Sequence, residues 1–564
     1  MKSLAELLRD AKRLHQLRRL DEAARVYREL LRIKPNDSEI ITSLGRLRFE
    51  QGRVDEAAAQ LTKAAGINPE NAATHYYLGL ARTNQRRFSD AADAFGTAYG
   101  LQPDSAFALG EWAYTSRKIA DWSSFAQQER ELTAAVRASA SAIDPFTFLQ
   151  FSDNAADLLT CSRAYLAGRT SSVGSIVRHT HDPHRKRKER IRVGYLSADF
   201  RFHPMTLLLT DLIESHDRAR FEILGVSIGR DDGSPEQHRI AAAFDRFVDA
   251  GDWLLNEIGQ RLYALDLDIL VDLMGYTALN QIDALATRPA PIQVNYLGYP
   301  GTLGAAFVDY IIVDPITAPP ELAPYFSEKL VHLPDCYLPS DRNRPRPRAR
   351  PSRAECGLPE SAFVFCCLND TLKLTPYIFD VWMRLLQAVP NSVLWLLESN
   401  HAAAMNLRRE AGNRSVEPAR LVFAPYANFS DHLARLPLAD LFLDTLPYNA
   451  HTTASEAIWM GIPILTCMGQ SFAARVCASI LRAAGLPELI THSLAEYEAL
   501  ALALGKEPGR LQELRARLLR SRDTAPLYDT PRYCAHIEAA YQTMVEIWRR
   551  GEKPRAFAVE PIAK

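Results

Sequence analysis

The sequence predicts an all-helical solenoid followed by two α/β lobes, each built on a parallel sheet. Three observations carry that expectation. A proline-containing phrase recurs at a fixed period of 34 within the first 138 residues. From Ile191 onward, short Val/Ile/Leu-rich runs end in Gly, Pro or Asp. Beyond residue 355, such runs alternate cleanly with helical stretches.

Pro35, Pro69 and Pro103 lie in the phrases RIKPND, GINPEN and GLQPDS. Leu44-Gly45 and Leu78-Gly79 keep the same spacing. So do the pairs Ala23 and Tyr27, Ala57 and Leu61, Ala91 and Phe95. Small Ala residues let two helices of a hairpin approach closely, and the larger residue four positions later fills the groove on the same face. The proline follows the second helix, which it cannot continue. These registered copies resemble the tetratricopeptide repeat. A fourth, degenerate copy is expected from about 105 to 138, with Asp121-Trp122 near its second helix, so the array covers 1–138. Residues 139–189 are expected to form a helical connector and linker. The run His184-Arg185-Lys186-Arg187-Lys188 suits a solvated linker face better than a nuclear or anionic-partner signal.

The grammar then changes. RIRVGYLSADF, FEILGVSIG, DILVDLMGYT, IQVNYLGYPG and DYIIVDP read as buried strands of a first lobe over 190–340. The Pro- and Arg-rich stretch 341–355 has almost no apolar content and is expected to be an interlobe loop. In the second lobe, 356–564, FVFCCLND, SVLWLLES, LVFAPYA, DLFLDTLP and PILTCM alternate with helices near Ile378–Ala388, His432 and Thr452–Gly461. The last helix of the chain is expected to return to the first lobe.

Composition bounds the function. A balance of 66 Lys+Arg against 67 Asp+Glu excludes a polycation that holds nucleic acid by charge alone. Eight cysteines without a CxxC spacing argue against a disulfide scaffold and a structural zinc site, and fit a reducing compartment. The first twenty residues lack the apolar core of a signal peptide, and no apolar run approaches a membrane span. The expectation is a cytoplasmic protein with no membrane or nucleic-acid partner.

Ligands of open parallel sheets bind beyond the carboxyl ends of the strands. Three loops of the second lobe lie there: Asn369, Asp370 and Lys373; Tyr426, Ala427 and His432; and Pro447 to Thr453. A helix starting at Thr452 or Thr453 would offer free amides and a positive dipole end to a phosphate. The threonine hydroxyls would add donors, and Lys373 a full charge. Plain N-capping by a threonine, with Glu456 in the first turn, is the competing explanation. No Walker motif or GxGxxG fingerprint points to an ATPase or dehydrogenase. Asp231-Asp232-Gly233 reads as a loop rather than a metal motif, so protein charge is expected to take the place of a cation.

In the first lobe, Pro204 biases His203 toward extended geometry at a strand end, where it would act as a base or orient a hydroxyl. A hydrogen-bonded structural histidine is the alternative. Gly298 and Gly301 flank Pro300, which suits close backbone approach to a ligand or simply a tight turn.

VGYLSADFRFHP, RPAPIQVNYLGYPGT, DYIIVDP, YFSEKLVHLP, PNSVLWLL, DLFLDTLPYNAHTTASEAIWMGIP and AARVCAS together resemble the O-linked N-acetylglucosamine transferase family, in a compact bacterial-type form. The resemblance implies a GT-B catalytic region of two Rossmann-like lobes. It implies an inverting transferase that moves GlcNAc from UDP-GlcNAc to Ser/Thr hydroxyls of a polypeptide held along the repeat groove, with no cofactor and no metal. His203 matches the family's HP histidine beside sugar and acceptor. Lys373 matches the lysine on the donor diphosphate, and His451, Thr452 and Thr453 match its phosphate-binding turn. His432 matches a histidine packed on uracil, Ala427 the backbone that reads the base, and Leu297 and Gly298 the sugar pocket. Animal members have Gln at Asp370 and Asp at Glu456, the implied ribose ligand. Asp370 beside a diphosphate would favour a nucleotide-binding scaffold with little turnover. A related transferase using GDP-fucose or UDP-glucose is the other alternative.

Overall fold

The structure is a computed structural model and describes residues 3–172, 179–182, 189–254, 257–347 and 349–562. The basic run 184–188 lies outside them. Contacts divide the chain into two compact units, Met1–Ala135 with Asn400–Asn406, and Val136–Ser399 with Leu407–Lys564.

The first unit is built from helix pairs: α1 (Leu4–Gln16) and α2 (Leu20–Ile33), α3 (Ser38–Glu50) and α4 (Val54–Ile67), α5 (Ala72–Asn84) and α6 (Phe88–Leu101), and α7 (Ala106–Lys118) and α8 (Phe125–Arg137). Each pair begins with a capping side chain at the repeat spacing. Ser3, Asp37, Asn71 and Ser105 each accept a hydrogen bond from the backbone N–H three residues on. Ala23, Ala57 and Ala91 are fully buried, as are Leu61 and Phe95. The paired glycines are there for space. A Cβ on Gly45 would meet Leu61 at 2.7 Å, and one on Gly79 would meet the Phe95 ring at 2.6 Å. The second helix of the fourth pair starts three residues late relative to the period, in the copy whose sequence is degenerate.

The second unit holds two wholly parallel sheets. The first contains β1 (Ile191–Ser197), β2 (Phe221–Ser227), β3 (Arg246–Asp249), β4 (Ile269–Asp272), β5 (Ile292–Asn295), β6 (Tyr310–Val313) and β7 (Lys329–His332). The second contains β8 (Phe363–Cys367), β9 (Ser392–Leu397), β10 (Leu421–Ala424), β11 (Leu441–Leu443), β12 (Ile464–Cys467) and β13 (Ile490–Thr491). A last short strand, β14 (Phe557–Ala558), returns to the first sheet beside β7. The interior strands β4, β5, β6, β11 and β12 are buried throughout because helices cover both faces, while the edge strands β3, β10 and β14 are only partly covered.

The strand orders place the sites. The first sheet runs β14-β7-β6-β5-β4-β1-β2-β3, and the second β10-β9-β8-β11-β12-β13. Counted within each lobe, both follow the doubly wound order 3-2-1-4-5-6. The direction of winding therefore reverses between β1 and β4 in one sheet, and between β8 and β11 in the other. A crevice opens at each reversal, beyond the strands' carboxyl ends.

The interlobe stretch is irregular, but its first residues are not a solvated linker. Asp341 and Arg344 are buried despite their charge. Asp341 takes Arg239 of the first lobe at 2.5 Å, Arg342 pairs with Asp211 at 3.1 Å, and Arg344 reaches Ser455 of the second lobe at 2.9 Å.

Candidate functional site

The loops after β8 and β11 meet at the second sheet's reversal point. Asp370 caps the 3-10 turn Thr371–Lys373 by accepting from the Leu372 N–H at 3.0 Å. That turn aims Lys373 at the facing loop, where Nζ donates to the Asn449 carbonyl at 2.7 Å and lies 4.0 Å from the Tyr448 ring centroid. Burial pushes the Lys373 ammonium down to about 8, while Asp444 pulls it the other way.

The facing loop is organised by Asp444, a buried carboxylate. Its Oδ1 accepts from the Thr445 and Ala450 amides at 2.7 and 2.6 Å, and its Oδ2 from the Thr466 hydroxyl at 2.6 Å. Burial raises its pKa to about 6 even so. Asn369 then ties both loops together. Its Nδ2 donates to Thr445 Oγ1 at 3.0 Å, and its Oδ1 accepts from Thr453 Oγ1 at 2.5 Å.

The helix Thr452–Trp459 starts from His451, whose side chain makes no capping bond. Simple threonine capping is thereby overturned. Thr452 and Thr453 are the first two helical residues, Thr453 spends its hydroxyl on Asn369, and Glu456 is the fifth. The first-turn amides thus lack a side-chain cap, as an anion-accepting helix end requires. His451 is held well below its ordinary pKa by burial and by Lys373, so its ring is neutral. Its Nε2 faces the Ala473 carbonyl at 3.3 Å, and its ring packs on Tyr448 at 4.9 Å.

His432 lies on the helix Phe429–Arg435, after the exposed Tyr426 and Ala427. Arg435 donates to His432 Nδ1 at 3.1 Å, which assigns the ring proton to Nε2, and Nε2 lies 3.4 Å from Glu456 Oε2. Glu456 is buried, and Arg344 lies behind it. Arg344 Nη1 donates to Ser455, while its Nε and Nη2 are buried with no hydrogen-bond partner among the described residues. Burial lowers its pKa, and Glu456 opposes that shift.

His203 and the Leu297–Gly298 pair belong to the first sheet's edge and are held by contacts within that lobe. His203 caps the helix Pro204–Ser215. Its Nδ1 accepts from the Met205 N–H at 3.2 Å, with Asp199 3.7 Å away. Burial holds its pKa below the usual value. A neutral ring so bonded carries its proton on Nε2, and that atom is a donor. Leu297 has φ +70°, a strained position for a branched side chain. The glycine after it is required by the protein itself. A Cβ on Gly298 would sit 1.9 Å from the Leu273 carbonyl oxygen. The close approach expected there is to a neighbouring loop.

The sequence motifs pass over Asp444, Asn369 as a tie between loops, and Arg344. An acidic residue ending the apolar run LFLD was a usable signal for Asp444. Nothing local marks Arg344 within an Arg-rich stretch.

The described residues include one cluster of three potential metal ligands, His216, Cys534 and Glu538. His216 follows the far end of the helix that His203 begins, so this cluster is a helix length away from the crevice.

Residues 173–349 and 340–537 match glycosyl transferase family 41, and residues 42–106 match the tetratricopeptide repeat. The chain is 37% identical over 377 residues to an Arabidopsis thaliana protein described as a probable UDP-N-acetylglucosamine–peptide N-acetylglucosaminyltransferase, SEC, covering 66% of this chain and 39% of that one. It is 28% identical over 476 residues to the Caenorhabditis elegans UDP-N-acetylglucosamine–peptide N-acetylglucosaminyltransferase, covering 64% and 41%. The chain thus spans about two-fifths of the length of these curated relatives. A solved structure of a Thermobaculum terrenum O-GlcNAc transferase mutant aligns with a TM-score of 0.66 and 29% identity, over 98% of this chain and all of that one.

Proposed function

The chain belongs to glycosyl transferase family 41, and from that premise we propose that it transfers GlcNAc from UDP-GlcNAc to Ser/Thr hydroxyls of a polypeptide, with inversion. The observation that carries the reading is the convergence of Lys373 and the uncapped first turn of Thr452–Trp459 at the second sheet's reversal point. The diphosphate would lie there, taking Lys373 from its carbonyl partner and accepting from the turn amides and Thr452. Uracil would pack against His432 beside Ala427, and Glu456 would hold the ribose. Leu297 and Gly298 would border the sugar.

In the transfer, the acceptor oxygen attacks the anomeric carbon as the carbon–phosphate oxygen bond breaks on the opposite face. The negative charge that builds on UDP is met by Lys373 and the helix end, so the reading requires no metal and no cofactor. With Nδ1 accepting from the Met205 N–H, His203 would present Nε2–H to the site as a donor. A donor there suits holding the acceptor or sugar, and leaves a phosphate oxygen or water to take the proton. Asp370, bonded to its own turn, does not face the diphosphate as a free charge, which weakens the case for an inactive scaffold. The polypeptide would lie along the repeat groove. On this reading the protein works in the cytoplasm.

The test is incubation with UDP-GlcNAc and a Ser/Thr peptide library, followed by mass spectrometry. A gain of one N-acetylhexosamine on a hydroxyl is expected. UDP binding without transfer would overturn the activity, and transfer from GDP-fucose or UDP-glucose alone would overturn the donor.

A further inference from the structure

The repeat array carries a charged cavity for which the catalytic reading has no use. It has a volume of about 360 Å³ and is lined by Lys12, His15 and Arg18 of the first helix pair's opening, Tyr27 of α2, and Arg46 and Glu50 of α3. Three cations thus face one carboxylate. Glu50 lies among them, accepting from Arg18 at 2.8 Å and Arg46 at 2.9 Å. The Arg46 guanidinium is also held over the Tyr77 ring at 5.2 Å, so it is presented rather than free to fold away. Lys12 is exposed, with no ion pair among the described residues.

The repeat period makes this arrangement local. Lys12 and Arg46 occupy the same position in successive repeats, and the next two copies of that position are Leu80 and Tyr114. That position is therefore basic in the first two repeats and apolar or aromatic in the next two. A partner matching it is a chain with a carboxylate at one end of the bound segment and apolar residues beyond.

We propose that this cavity docks an acidic polypeptide, holding a carboxylate between Lys12 and Arg46 in the place where Glu50 partly competes. The inference rests on the proposed role of the array in presenting polypeptides, and on nothing in the catalytic lobes. It departs from backbone-only recognition, because charge at one end would fix the direction and register of the bound chain.

The test is fluorescence anisotropy with the full chain and two labelled peptides, one carrying three consecutive glutamates before an apolar segment and the other three glutamines. The glutamate peptide is expected to bind roughly tenfold tighter, with the difference shrinking as NaCl is raised. Lys12→Glu and Arg46→Glu should each remove that preference with circular dichroism unchanged. Glu50→Gln should tighten binding by freeing Arg18 and Arg46. UDP binding by calorimetry should be the same in all of these variants. Equal affinity for the two peptides, indifference to charge reversal, or displacement by inorganic phosphate at the peptide's own concentration would overturn the proposal. Absence of sugar transfer with the glutamate preference intact would count against the transferase reading alone.

Discussion

Lys373 is placed so that its charge depends on pH near neutrality. Burial brings it to about 8, and the Asn449 carbonyl that now holds it offers no countercharge. Below that value it is cationic, and above it the site loses the charge that the proposed diphosphate needs. UDP binding should therefore weaken as pH rises from 7 to 9, with proton uptake near pH 8 visible as a buffer-dependent calorimetric heat. Lys373→Arg should flatten that dependence, because guanidinium stays charged. Lys373→Ala should lower transfer by ~10²–10³ with little change in thermal midpoint. Near-normal turnover in the alanine variant would remove the leaving-group role. His203 invites a different comparison. Its Nδ1 accepts from Met205, so an asparagine, which can both cap and donate, should retain far more transfer than an alanine. A general base would lose activity equally in both, and the wild-type pH profile would show an acidic limb that neither variant has.

The interlobe segment and the helix Thr452–Trp459 act as one element. Arg344 donates to Ser455 on that helix, and Trp459 Nε1 donates to the Pro345 carbonyl at 3.2 Å. Asp341 and Arg342, three and two residues earlier, are paired with Arg239 and Asp211 of the first lobe. The helix end proposed to hold the diphosphate is thus strapped to the lobe proposed to hold the acceptor. Arg344→Met would remove the charged hydrogen bond to Ser455, at a cost of ~1.5–3 kcal/mol. The expected result is a lower urea midpoint together with a several-fold rise in donor KM, while kcat changes less. A fall in kcat alone would contradict the positioning role. This coupling was not legible in the sequence, where 341–355 shows only charge and proline. Long-range pairing decides whether an arginine is solvated or buried, and pairing has no local pattern. The repeat helices were legible for the opposite reason. Gly79 and Phe95 recur because they fit each other across one hairpin, and Asn71 caps a helix three residues away. The second lobe's switch-point loops fell between these cases. Strand ends marked Lys373 and Thr453, but the tie through Asn369 needed the fold.

Across the whole second unit, the last residues complete the first lobe. The helix Thr530–Arg549 packs on the helix Pro204–Ser215, and β14 adds to β7 at the sheet edge. Beside a buried apolar face that includes Ile537, Met544 and Val545, the terminal helix makes buried polar contacts. Tyr541 bonds Tyr195 at 2.8 Å, Tyr533 bonds Tyr296, and Glu538 Oε1 accepts from the Asp217 N–H at 2.7 Å while lying 3.0 Å from His216 Nδ1. Such a closure ties stability to pH. Burial holds the His216 pKa below its ordinary 6.5, although Glu538 pulls upward. Burial alone would raise the Glu538 carboxyl, but the bonds from His216 and Asp217 bring it net below its ordinary 4.5. For both groups the unfolded chain binds more protons, so the stabilisation is present above the unfolded values and is lost on acidification. The urea midpoint should fall as pH drops from 7 toward 5, as His216 comes under pressure to charge, and fall again below 4.5 as Glu538 protonates. Glu538→Gln keeps an acceptor for Asp217 and should remove the second fall at a moderate cost in stability at pH 7. Glu538→Ala leaves the Asp217 amide and His216 without their partner and should cost ~1–3 kcal/mol or more at every pH. If Glu538→Gln unfolded with the wild-type pH dependence below 4.5, the terminal helix would be held by its apolar face alone.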